Sequence, residues 1–75
     1  MAHDPTNIDR ATWAADALRT FREATLTDAE DALGDLLCDL MHWADVVGEN
    51  FAETLLGAQN TYAAEIAEEK SRVAL

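Results

Sequence analysis

The sequence predicts an all-α protein, built as a small three-helix bundle or as a helical hairpin with an additional N-terminal helix. Three observations carry this. Apolar residues recur at spacings of three and four along most of the 75-residue chain, the pattern of helices with one buried side at about 100° per residue. No stretch alternates apolar and polar residues as a half-buried strand would. The periodic stretches are separated by short breaks, Thr25-Leu26-Thr27 and Gly48-Glu49-Asn50, that carry capping residues in place of long loops. A chain of this length makes one domain with a core near the lower limit for a stable monomer. A homodimer is therefore expected, joined through apolar surface left over on the second and third helices.

Residues 1–6 are expected to be disordered, because Pro5 suits no helix interior and nothing near it is apolar. One helical domain, 7–75, should follow. Its first helix, about 8–24, starts where Asn7 or Asp9 can act as the cap. Ile8, Ala11, Ala15 and Leu18 form its stripe, broadened by Ala14, Phe21 and Ala24, with Trp13 to one side.

The second helix, about 28–47, is the most strongly two-faced. Thr27 followed three residues later by Glu30 fits a capping box, and Asp28, Glu30 and Asp31 sit where the helix dipole favours negative charge. Ala29, Leu33, Leu36, Leu37, Leu40, Ala44 and Val47 share one side, flanked by Met41 and Trp43. Asp31, Asp35, Asp39, His42 and Asp45 share the other, with Cys38 among them. Gly48 is placed to end the helix in a left-handed conformation.

Asn50 then offers a cap, with Glu53 at the capping-box position, and a third helix runs over about 51–72. Its stripe is Phe51, Leu55, Ala58, Tyr62 and Ile66, extending to Val73. Gly57 inside it costs about 1 kcal/mol relative to Ala, and a close helix crossing would explain its presence. Lys70 and Arg72 suit the C-terminal end of the dipole, and Glu68 with Arg72 makes an i,i+4 pair. The short break at 48–50 predicts that the second and third helices form an antiparallel hairpin.

Charge narrows the function classes. Fifteen acids against five bases give a net charge of −10. No Lys or Arg lies between Glu23 and Glu69, a span holding twelve acids. Such a surface repels nucleic acid and favours basic partners or cations, so direct binding to nucleic acid is not expected. An acidic surface also serves solubility alone in many proteins. The single cysteine, Cys38, forms no intramolecular disulfide and suits a reducing compartment. Neither a secretory signal nor a membrane span is legible, and a cytoplasmic, membrane-free location is expected.

No catalytic set is complete. Asp35, Asp39 and His42, with Asp31 a turn earlier, place oxygen and nitrogen ligands on one helix face, but a metal would need further donors such as Glu65, Glu68 or Glu69. No metal or cofactor is assigned. Cys38 and His42 are one turn apart, yet neither an oxyanion hole nor a third orienting group accompanies them in the sequence. Trp43, Met41, Phe51 and Tyr62 read as core or interface residues.

Residues 31–51, DALGDLLCDLMHWADVVGENF, resemble the second acidic helix and following turn of MazG-type all-α nucleotide pyrophosphohydrolases. Asp35, Ala44-Asp45 and Gly48 carry the match. Ala32 stands where that family has a Glu, and the first helix has no Glu-x-x-Glu pair. The resemblance implies a Mg²⁺-dependent nucleotide hydrolase and covers under a third of the chain. By type, a short acidic helical chain with the block DLLCDLMHWAD is similar to accessory proteins of bacterial phages and plasmids, anti-CRISPR inhibitors among them. That likeness implies a non-enzymatic inhibitor that occupies a basic surface on another protein, such as a nucleic-acid-binding protein, in the manner of a nucleic-acid mimic. Asp31, Asp35, Asp39, His42 and Asp45 are the expected contact residues, with Glu49 and Glu53 at the edge. The alternatives are the MazG-like hydrolase and a structural dimerisation module.

Overall fold

The computed structural model describes residues 4–73. It consists of α1 (Asn7–Thr25), α2 (Ala29–Val47) and α3 (Phe51–Val73), with no strand among the described residues. The chain is all-α, as its periodicity predicts. Of the residues expected to be disordered, 1–3 lie outside the described part, and 4–6 are placed.

The caps explain where the helices begin and end. Neither Asn7 nor Asp9 caps α1. Thr6 does, its hydroxyl accepting from the Asp9 amide at 3.1 Å while the Asp9 carboxylate accepts from the Thr6 amide at 2.9 Å. This reciprocal pair satisfies two amide donors that the first turn leaves free. The capping box expected at Thr27 and Glu30 does not form. The cap of α2 is Asp28, which makes no side-chain capping bond, and the Thr27 hydroxyl is 2.7 Å from that of Thr25.

Leu26 ends α1 by adopting a left-handed conformation, φ 60°, with its amide donating to the Arg22 carbonyl at 2.7 Å. A leucine there is strained, since its Cβ crowds the backbone where glycine has none. The turn is braced by Arg22, whose Nε donates to the Thr27 carbonyl at 3.1 Å. Gly48 takes the same conformation at the end of α2, φ 82°, as expected. Asn50 caps α3, its side-chain oxygen accepting from the Glu53 amide at 3.0 Å.

Packing is open. Among the described residues, Ala32 and Ala44, 3 % and 2 % exposed, are the buried apolar ones, while Leu18, Phe21, Leu36 and Phe51 are half-buried. The helices meet at three places. At the first bend, Ala15, Leu18 and Arg22 of α1 face Ala29, Ala32 and Leu33 of α2 across a shallow groove. At the second bend, Leu40, Trp43 and Ala44 of α2 face Phe51 and Thr54 of α3. The third meeting point brings the start of α1, at Asn7, Arg10 and Ala11, to Tyr62, Glu65 and Ile66 in the last half of α3.

α2 and α3 meet at the second bend, and the last half of α3 meets the start of α1. The stripe residues Leu37, Leu40, Leu55, Tyr62 and Ile66 all remain exposed. Gly57 marks no close crossing, because nothing lies within 4 Å of where its Cβ would sit.

Candidate functional site

The acidic face of α2 follows directly from helix geometry. Asp31, Asp35 and Asp39 are each one turn apart, so they stack about 6 Å from one another along the axis. All three are exposed, as are His42 and Asp45 further along. From Asp31 to Asp45 the stripe spans about 21 Å. Glu49 and Glu53, also exposed, lie beyond the Gly48 bend, so they belong to a second direction of the surface. Glu49 borders the apolar groove at Leu40, Trp43 and Phe51.

The distribution of counter-charge is uneven. Arg10 pairs with Glu65, Arg19 with Asp16 and Glu23, and Arg72 with Glu68 and Asp4. These pairs all lie within or between α1, α3 and the N-terminal segment. Among the described residues, no acid of α2 has an ion-pair partner. Among the described residues the stripe is thus an uncompensated line of charge on the helix whose two neighbours carry the arginines.

Metal-ligand geometry is weak at the expected positions. The carboxylates that converge within ligand reach of one another are those of Asp28, Glu30 and Asp31, exposed at the start of α2. Asp35, Asp39 and His42 are not part of that group. The outside donors considered for them are engaged elsewhere. Glu65 holds Arg10 and its carbonyl accepts from Asn7, Glu69 accepts from the Asn7 amide, and Glu68 holds Arg72. Cys38 is exposed and no hydrogen bond links it to His42 among the described residues.

Two features escaped sequence reasoning. One is the convergence of Asp28 with Glu30 and Asp31, for which acids in the first turn were the available signal. The other is which of the residues read as core or interface are presented outward: Trp43 is 56 %, Met41 52 % and Tyr62 67 % exposed. At the second bend the first of these helps line an almost wholly apolar groove of about 330 Å³. Trp13, expected to one side, is 59 % exposed.

Compared with protein families, with characterised proteins and with solved structures, the chain shows no match. No described helix is long and apolar enough to cross a membrane.

Proposed function

We propose that this chain is a non-enzymatic acidic binding protein that acts in the cytoplasm as a homodimer. Its acidic face docks on a basic surface of another protein and blocks or regulates it. The natural target is a surface that itself binds nucleic acid, so that the chain acts as anti-CRISPR-type inhibitors do. The observation that carries this reading is the exposed stripe Asp31, Asp35, Asp39 and Asp45, which has no basic partner among the described residues.

The physics favours a basic target. Like charges one turn apart each destabilise a helix by a few tenths of a kcal/mol, and an opposing Lys or Arg relieves that repulsion. Four acids over about 21 Å give about one charge per 5 Å, against one per about 1.7 Å on duplex DNA. The stripe is a sparse mimic, suited to one basic strip on a partner. His42, Glu49 and Glu53 would extend the contact toward the bend. Complementarity of this kind sets partner choice and association rate more than raw affinity.

The test is capture from host lysate on immobilised wild type beside an Asp35→Lys, Asp39→Lys double variant. The expected result is a basic partner held by wild type, released by salt, displaced by duplex DNA or RNA, and absent from the variant lane. Equal retention by the variant, or no salt-releasable partner, would sink the reading.

A further inference from the structure

Among the described residues, the apolar side of α2 is only partly covered by α1 and α3. Leu33, Leu37, Leu40, Met41, Trp43 and Val47 are all exposed, although they form one continuous stripe on the strongest amphipathic helix of the molecule. Two overall dimensions point the same way. The accessible surface is 6246 Å², whereas a compact monomer of 8.2 kDa exposes about 4,500 Å². The radius of gyration is 15.1 Å, against about 11 Å for a compact domain of this length.

The surface excess is about 1,700 Å² per chain, which falls within the range that each partner contributes to an obligate interface. A standard transient interface removes about 800 Å² per partner, and would leave half of the excess in water. Among the described residues, Ala32 and Ala44 are the fully buried apolar ones, with Leu18, Phe21, Leu36 and Phe51 half-buried, and that burial is too small to offset the conformational entropy of ordering three helices. The layer that covers the stripe is therefore part of what folds the chain.

We infer that this layer is a second copy of the same chain, and that folding and pairing are one step. The inference rests on the homodimer proposed above and specifies it as obligate. The α2 stripe packs against its own counterpart about a two-fold axis, and the groove at Leu40, Trp43 and Phe51 receives an apolar side chain from the mate. A two-fold interface needs one patch that is complementary to itself, and a continuous stripe with its charges on the opposite side meets that need. Asp31, Asp35 and Asp39 point away from the joint, so two chains of charge −10 can approach through their apolar sides. A different protein would have to be present whenever the chain folds, and the groove is almost wholly apolar with Glu49 at its border.

The experiment is sedimentation equilibrium of the purified full chain together with thermal unfolding over about a hundredfold range of concentration. The expected mass is twice 8.2 kDa, and the unfolding midpoint should rise by about 5 °C for each tenfold increase in concentration. Added salt should tighten the pairing by screening the two net charges, the opposite of its effect on acidic docking. Trp43→Glu should abolish both mass doubling and helicity. Because that variant could fail to fold for its own reasons, the wild-type concentration dependence decides. A folded helical species of single-chain mass with a concentration-independent midpoint would overturn the inference, as would a trimer or larger assembly. A folded monomer that still captured a salt-releasable basic partner would remove the obligate pairing and leave the docking reading intact.

Discussion

The two places where α3 meets its neighbours differ in what holds them. Where its last half meets the start of α1, polar groups latch the two helices beside the apolar Ala11, Tyr62 and Ile66. Arg10 pairs with Glu65, the Asn7 side-chain amide donates to the Glu65 carbonyl, and the Asn7 backbone amide donates to Glu69. Where its first turn meets the end of α2, the joint is apolar and open, with Leu40, Trp43 and Phe51 around a groove. A polar latch can be satisfied by a few groups from one chain. An apolar face is satisfied only by area, and 75 residues folded this way do not supply enough of it.

The sharpest way to break this contrast is a charge at the apolar joint. Ala44 is 2 % exposed, and its neighbours offer no cation. Ala44→Asp should cost about 3 kcal/mol or more, since a carboxylate there would be desolvated without a partner. Small domains hold only about 5 kcal/mol in total, so the expected outcome is loss of the helical circular dichroism signal at room temperature. Retention of a cooperative transition near the wild-type midpoint would mean that the second bend contributes little to folding.

The latch should respond far less. Arg10 and Glu65 are 34 % and 27 % exposed, so solvent screens much of their attraction, and Arg10→Ala should cost about 1 kcal/mol. A double-mutant cycle with Glu65→Ala isolates the pair, and its coupling should shrink as salt is raised. A coupling of zero at low salt would show that Asn7 alone carries the joint.

The same contrast explains what the sequence made legible. Periodicity located all three helices to within one or two residues, because a helix needs only local hydrogen bonds and one apolar side. Gly48 was readable as the end of α2 and Asn50 as the cap of α3 because their chemistry is specific: a left-handed backbone for one, an amide-accepting side chain for the other. The first bend was harder. Its left-handed residue is Leu26, a type that pays a steric cost there, so no residue signal marked it. Thr6 escaped notice because Pro5 suggested disorder up to that point.

Tertiary arrangement was less legible for a different reason. A stripe says which side of a helix avoids water, and not what covers it, so Trp43 and Tyr62 read equally well as core or as interface. The short break at Gly48 fixed that α2 and α3 are neighbours in sequence without fixing the angle between them. At the acidic face, the stacking of Asp31, Asp35 and Asp39 followed from spacing alone. That the arginines are all engaged by acids or carbonyls outside that stripe required coordinates, since Arg10 and Glu65 are distant in sequence.

The smallest expected effect tests whether the acidic stripe is a cost carried for a purpose. Asp35 stands one turn from both Asp31 and Asp39, so it takes part in two like-charge pairs at once. Asp and Asn have nearly equal helix propensity, and Asp35→Asn changes charge with little else. Each repulsive pair is worth a few tenths of a kcal/mol, so the variant should be more stable by about 0.5 kcal/mol at low salt, with the gain fading as salt rises. Chemical denaturation at two ionic strengths measures it. A gain means that the wild-type chain gives up stability to keep the charge, which is the pattern of a surface shaped for a basic partner. A loss means that Asp35 makes a favourable interaction in the folded protein, and the stripe would then be explained without any partner at all.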